Sequence, residues 1–390
     1  MQHALEGSQA IAQAVRLCRP QVISAYPITP QTHIVENLSR LVADGELDCE
    51  LISVESEFSA ASVALGAVAA GSRAYTASSS QGILLMSEVL FNIAGLRVPL
   101  VLTCANRAVS APLSIWNDQQ DSMAVRDAGW IQLYCADNQE AVDTTIQAFR
   151  IAEQCELPVM VCVDGFTLTH TLEVLDIPDQ QQVDAFLPAF SFNRRLDPAN
   201  PISVGTLVTP EFFTETRHDH HQALLDAADV ILAAQRDWQA VSGRDSGGLL
   251  RVEGPQSAAI GILTIGSIAG TLQEAMQADG NESAARLLTL RAFRPFPEQA
   301  LREACRGLRQ LVVLERALSP GAGGIVGTEV RAALASMENP PQVFNFAVGL
   351  GGRDVPLEIY ARLLAAIGEG RGAGFDILDL DISKLPDEAS

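Results

Sequence analysis

Ser53 to Gly82 reads SVESEFSAASVALGAVAAGSRAYTASSSQG, and no other stretch restricts the fold as much. Leu51–Glu55 has the length and apolar content of a short buried strand. Ser56 is a good N-cap, so a helix is expected from Glu57 to about Ala70. Glu57 then sits at a strand-to-helix junction. In an open parallel sheet these junctions line the crevice at the strands' carboxyl ends, where ligands bind. The helix is almost entirely Ala, Ser, Val and Gly, so another backbone can approach it closely, including one from another subunit.

The flanking chain repeats the alternation. Ile11, Ala14, Val15 and Cys18 share one helix face within residues 5–18, Gln21–Ala25 is a strand, and Tyr26-Pro27-Ile28-Thr29-Pro30 turns it. Each proline biases its predecessor away from helix, and Pro30 suits a first helical position. Thr29 is therefore the expected N-cap of a helix from Gln31 to about Leu41. A second unit follows, with strand Arg73–Ala77, loop Ser78–Gly82, helix Ile83–Ala94 and strand Val98–Cys104. The loop Ala105–Gln120 is long enough to be a lid or an interface arm. Strands at Ile131–Cys135 and Val159–Val163, around a helix at Gln139–Glu153, complete this sheet.

Residues 177–210, rich in Pro, Asp, Asn and Gln, read as a surface arm. A helix at His220–Ala240 and a linker at Ser242–Pro255 follow. Strands at Ala258–Ile265, Arg286–Leu290 and Leu311–Leu314, with a turn at Gly266–Gly270 and a helix at Thr271–Ala278, form a smaller second domain. The chain is thus read as α/β, with domains over 1–245 and 256–355 and a tail over 356–390. The acidic, weakly patterned end of that tail suits a segment that wraps a partner.

Composition removes several classes of partner. A net charge of -21 repels nucleic acid and anionic membrane surfaces. Lys384 is the only lysine, so Schiff-base chemistry has no amine in the body of the chain. The seven cysteines form no C-x-x-C pair and read as buried thiols, so no iron–sulfur cluster, cysteine zinc site or other metal is expected on this chain. MQHALEGSQAIAQAV has no leader pattern, and no run reaches the roughly 18 apolar residues of a span, so a cytoplasmic protein is expected.

Most chemical motifs are missing. G-S-I-A-G at Gly266–Gly270 is not the dinucleotide fingerprint and reads as a turn. His218, His220 and His221 lack a carboxylate or cysteine companion and read as a solvated helix start. There is no G-x-S-x-G, H-E-x-x-H or P-loop. What remains is a crevice lined by Thr29, Glu57 and Arg107. Glu57, partly desolvated, suits proton sharing with a ring nitrogen or, more simply, caps the helix's first turn. Arg107 suits a bidentate carboxylate clamp or an interface ion pair, and Thr29 a substrate contact or a helix cap.

These residues lie in segments that carry a resemblance. YPITPQTHIVE at Tyr26–Glu36, VESEFSA at Val54–Ala60, SSQGILLMSE at Ser79–Glu88, NRAVSAPLSIWND at Asn106–Asp118 and VMVCVDGFTLTHT at Val159–Thr171 closely resemble, in the same order, the α subunits of pyruvate:ferredoxin oxidoreductases. RAFRPFP at Arg291–Pro297 fits the same family's second domain, and the match runs to about Arg353.

The resemblance implies a thiamine diphosphate pyrimidine-binding-type parallel sheet domain followed by a smaller transketolase C-terminal-like domain. It implies a subunit of a 2-oxoacid oxidoreductase that converts pyruvate and coenzyme A to acetyl-CoA and CO2 with reduction of ferredoxin, or the reverse. Glu57 matches the glutamate that bonds N1′ of the aminopyrimidine. Thr29 and Arg107 match residues that hold the substrate's carboxylate and carbonyl, and Pro27, Ile28 and Thr29 lie in the cofactor-binding turn. The chain has no G-D-G…N signature, so the diphosphate, Mg2+ and [4Fe-4S] clusters belong to beta, gamma and delta-type partner subunits. Other readings are the same chemistry on a branched-chain or aromatic 2-oxoacid, a transketolase or E1-type component without iron–sulfur partners, and a structural partner without chemistry.

Overall fold

The computed structural model describes residues 2–278, 280 and 285–385. The chain divides into two compact units, Met1–Arg251 with Leu290–Pro297, and Val252–Thr289 with Glu298–Ser390.

The first unit is built on a seven-stranded sheet in the order Ala292–Arg294, Ile131–Tyr134, Val159–Asp164, Val101–Asn106, Ala74–Ser78, Val22–Ala25, Glu50–Ser53. Every neighbouring pair is parallel except the first, in which Ala292–Arg294 runs antiparallel to Ile131–Tyr134. VLTCAN and VMVCVD are buried along their whole lengths, as central strands covered on both faces must be. The helices Gly7–Leu17 and Asn138–Cys155 bury Ile11, Val15, Ile146 and Phe149 in one core with Ile23, Val101 and Val161 from the sheet. Burying side chains of this size contributes about 1.5–3 kcal/mol each.

RAFRPFP, read with the second domain, adds its strand Ala292–Arg294 to the sheet of the first unit. Arg291 is the reason: its guanidinium is buried against Glu140, donates to Gly248 O at 2.6 Å and to Thr144 Oγ1 at 3.1 Å, and leaves no charge unpaired.

Several expectations are corrected. Glu50–Ser53 is the outer strand and is mostly exposed, because only Val22–Ala25 pairs with it. Gln2–Glu6, partly assigned to the first helix, pairs antiparallel with Leu172–Asp176, and that helix begins at Gly7. The arm after residue 177 contains a helix, Gln180–Phe186, whose Phe186 ring meets Trp238 edge-on at 5.0 Å. Trp238 belongs to a 33-residue helix, Pro210–Ser242, longer than expected. The three histidines therefore lie inside it, and His220 is buried with Nε2 3.2 Å from Gly129 O.

The second unit has a six-stranded sheet in the order Asp376–Ile377, Gln342–Ala347, Gln310–Glu315, Ile260–Ile265, Ala285–Leu290, Leu250–Glu253. The last strand falls within the expected linker. The acidic tail contributes the first: Phe346 pairs with Asp376, and Gly349 N–H donates to Asp379 Oδ2 at 3.0 Å. Residues 376–379 thus pack on their own unit; residues 386–390 lie outside the described part. Gly266 turns into the helix Ile268–Ala278 with φ 72°, a left-handed conformation that glycine adopts without steric cost. At the helix Ile325–Leu334 the buried Glu315 carboxylate accepts the N–H groups of Ile325, Val326 and Gly327 at 2.8, 2.8 and 3.0 Å. The chain's own anion fills that helix N-terminus, so Gly323 and Gly324 cradle no phosphate.

Candidate active site

The first unit's strand order reverses around Val22–Ala25. The chain leaves that strand for Glu50–Ser53 on one side and returns to Ala74–Ser78 on the other. A reversal of this kind opens a crevice at the strands' carboxyl ends. The segments that follow those ends bring Thr29, Glu57, Ser80 and Arg107 to it.

Glu57 opens the helix Glu57–Ala69. Ser56 caps that helix, its Oγ accepting the Ser59 N–H at 3.3 Å, so the cap does not need the Glu57 carboxylate. Glu57 is 6% exposed, and no described residue hydrogen-bonds its carboxylate. A buried carboxylate without a donor costs several kcal/mol unless a ligand supplies one. Gly82 makes the space: a Cβ there would fall 2.7 Å from Glu57 Oε1 and 2.8 Å from its Cγ, and closer still to Ser78 Oγ. The hydroxyls of Ser78 and Ser79 are buried nearby in sequence and also lack a protein partner.

Thr29 and Arg107 meet, although through the backbone of Thr29. Arg107 Nη1 donates to Thr29 O at 2.8 Å and Nε to Ser114 O at 3.1 Å, which holds the guanidinium between two loops. Nη2 has no partner among the described residues and retains two N–H groups for an anion. Burial lowers the Arg107 pKa from its ordinary value, and Asp121 opposes that shift.

Thr29 is not the helix cap. The helix begins at Thr32, and the Thr29–Pro30 peptide is cis. Gln31 is fully buried there, its Nε2 donating to Ala77 O at 3.0 Å and its Oε1 accepting the Ile28 N–H at 3.3 Å. This cross-link takes over the turn and leaves Thr29 exposed, with Pro27 exposed and Ile28 half-buried beside it. Because Gln31 occupies the Ile28 amide, any ligand contact by Ile28 is through its side chain.

Asp121 is the residue that sequence reasoning missed. Its Oδ2 accepts the N–H groups of Ser80 at 2.8 Å and Arg107 at 3.0 Å, and its Oδ1 accepts Asn106 Nδ2 and Ser122 N–H, both at 2.7 Å. Burial pushes the carboxyl up, against these donors, which pull it down. One fully buried carboxylate thus joins the Ser80 turn to the Arg107 loop. The expected loop at Ser78–Gly82 is itself mostly helical, Ser80–Leu85, with Ser80 at φ 49° held by its Oγ donating to Ala108 O at 2.5 Å. Gln119 Nε2 donates to Asp164 Oδ1 at 2.9 Å and fixes the far end of the same loop.

Cavities of about 350 and 470 Å3 lie elsewhere in this unit, the first lined by Leu5, Arg16 and Gln182, the second by Arg19, Arg73 and Asp184. Neither touches Glu57, Thr29 or Arg107, so the unpartnered carboxylate, not cavity size, marks the site. All seven cysteines are free thiols, and burial pushes those of Cys18, Cys104 and Cys135 up, away from the thiolate form that binds metal. No described helix is long and apolar enough to cross a membrane.

Comparison with known proteins adds to this geometry. A family model described as pyruvate flavodoxin/ferredoxin oxidoreductase, thiamine diphosphate-binding, matches residues 13–236, and one described as pyruvate:ferredoxin oxidoreductase core domain II matches 258–359. Pyruvate synthase subunit PorA of Methanosarcina barkeri is 45% identical over 367 residues, covering 92% of this chain and 91% of the relative. Ketoisovalerate oxidoreductase subunit VorA of Pyrococcus abyssi is 40% identical over 352 residues, covering 90% and 89%. Among solved structures, a 2-oxoglutarate:ferredoxin oxidoreductase from Magnetococcus marinus, with 2-oxoglutarate, coenzyme A and succinyl-CoA bound, superposes with a TM-score of 0.71. At 19% identity that is a likeness of fold; it covers 93% of this chain, which spans 65% of that one. A split gene transketolase shares the fold at a TM-score of 0.55 and 14% identity, covering 95% of this chain and 100% of that one.

Proposed function

Because the chain belongs to the pyruvate flavodoxin/ferredoxin oxidoreductase family, we propose that it holds the aminopyrimidine end of thiamine diphosphate in a complex that oxidises pyruvate. The products are acetyl-CoA, CO2 and reduced ferredoxin, and the reverse reaction uses the same groups. The observation that carries the reading is the buried, unpartnered Glu57 carboxylate seated against Gly82. Its fit is to a protonated or N–H-bearing ring nitrogen. Thiamine diphosphate, when bound, supplies the carbon nucleophile for the 2-oxo carbon and accepts the electrons released with CO2.

This chain's residues bind and orient. The Glu57 carboxylate would accept the hydrogen bond of the pyrimidine ring N–H and share that proton with it. Arg107 Nη2 binds the substrate carboxylate while Nε and Nη1 keep the guanidinium in place. The exposed Thr29 hydroxyl donates to the 2-oxo oxygen, and Pro27 and Ile28 form the apolar wall of the cofactor turn. Orientation of this kind supplies much of an enzyme's rate advantage. The diphosphate, Mg2+ and clusters are assigned to beta, gamma and delta-type subunits, and the whole complex to the cytoplasm.

The test is reduction of a low-potential dye by the chain co-purified with its partners, given thiamine diphosphate, coenzyme A and a panel of 2-oxoacids. Pyruvate-dependent reduction that requires coenzyme A supports the reading. Preference for a branched-chain acid keeps the chemistry and moves the substrate, whereas no reduction with any acid overturns it.

A further inference from the structure

Outside the crevice, Glu6, His33 and His170 each place one donor atom within 4.8 Å of the others. They come from three distant parts of the chain: the N-terminal strand, the first turn of the helix Thr32–Ala43, and the turns after Val159–Asp164. Glu6 Oε1 lies 2.8 Å from His33 Nδ1, the two imidazole rings have centroids 4.4 Å apart, and all three residues are half-buried. One carboxylate with two imidazoles is the donor set of three-ligand Zn2+ sites that keep a fourth position open. Donors about 2.0–2.1 Å from a tetrahedral ion stand roughly 3.3 Å apart, so Glu6 and His33 must separate by about half an ångström and donors as far apart as 4.8 Å must close by up to about 1.5 Å.

The surrounding groups orient these donors as outer-shell partners do at metal sites. Ser8 Oγ is within hydrogen-bond reach of Glu6 Oε1 at 3.1 Å. Thr169 Oγ1 accepts the Phe166 N–H at 2.9 Å and stands 2.8 Å from His170 Nδ1. With His170 Nδ1–H donating to that hydroxyl, Nε2 carries the lone pair that an ion needs.

We propose that Glu6, His33 and His170 bind one divalent transition-metal ion, Zn2+ by donor type. The ion would join the N-terminal strand to two segments of the crevice wall. His33 follows Thr29 by four residues, and His170 follows Phe166, whose ring lies 6.4 Å from Trp116 in the Arg107 loop. The proposal does not rest on the cofactor reading, since its donors are none of Thr29, Glu57 and Arg107.

The test uses the full chain, stripped with a chelator and titrated separately with Zn2+, Co2+ and Mg2+. The expected result is one Zn2+ or Co2+ per chain, a Co2+ visible spectrum of four-coordinate type, a raised melting temperature and no response to Mg2+. Combining His33→Gln with His170→Gln should weaken Zn2+ binding by more than about 100-fold, and Thr169→Val by about 10-fold. Wild-type binding below about one tenth of an equivalent, or equal affinity in wild type and double variant, overturns the proposal. Should the double variant fail to fold, Glu6→Gln decides it: an unchanged Co2+ spectrum and affinity mean a hydrogen-bonded cluster only.

Discussion

Gly82→Ala tests the placement of Glu57 without touching its chemistry. The added methyl would lie 2.7 Å from Glu57 Oε1, whereas ordinary contact begins at 3.4 Å, so the carboxylate must retreat by about 0.7 Å. Displacements near 1 Å cost on the order of 10²-fold in rate when geometry is catalytic, so turnover should fall about 10- to 100-fold. Stability should change little. Replacing a helical glycine with alanine gains about 0.5–1 kcal/mol, while overpacking costs about 1–3 kcal/mol, which leaves a net loss of roughly 0–2.5 kcal/mol. The assay is steady-state dye reduction by the assembled complex beside its melting temperature. Turnover within about twofold of wild type, in a normally assembled complex, would refute the argument that Gly82 exists to seat this carboxylate.

Arg107→Lys should raise the Michaelis constant for the 2-oxoacid about 10- to 100-fold with a smaller effect on turnover. One ammonium cannot bind both carbonyls and the substrate, and a charged hydrogen bond is worth about 1.5–3 kcal/mol. Asp121→Asn removes one of the two oxygens that together accept four donors, and should cost about 2–5 kcal/mol, seen as a melting temperature lower by roughly 5–15 °C. Burial raises the Glu315 carboxyl above its unfolded value of about 4.3. Its contribution to stability is therefore full below that pH and is lost as pH rises through the folded pKa. In denaturant titrations from pH 4 to 7, wild type should lose stability relative to Glu315→Gln as pH rises.

The alternation of strands and helices is written into the chain wherever one element decides its own state. Val101–Asn106 and Val159–Asp164 are largely apolar, and Ser56 and Glu57 announce a helix start, so the central sheet and the buried Glu57 carboxylate were legible. What failed depended on partners far along the chain. Gln2–Glu6 is a strand only because Leu172–Asp176 pairs with it, and Glu50–Ser53 is exposed because no strand lies beyond it. Thr29 has the local chemistry of a cap, yet Gln31 bonded to Ala77 moves the helix start past it. Asp121 lies in a loop without periodicity, and its role follows from amides that the sequence separates by 14 and 41 residues. Nothing local distinguishes the aspartate that joins the two loops.

The central claim is that Glu57 activates the cofactor instead of capping a helix. Glu57→Gln in the assembled complex, measured for turnover, thiamine diphosphate binding and melting temperature, tests it most directly. The expected result is a fall in turnover of about 10²- to 10⁴-fold with assembly intact, as removal of a proton-transfer group gives. Turnover within about threefold of wild type would contradict the account.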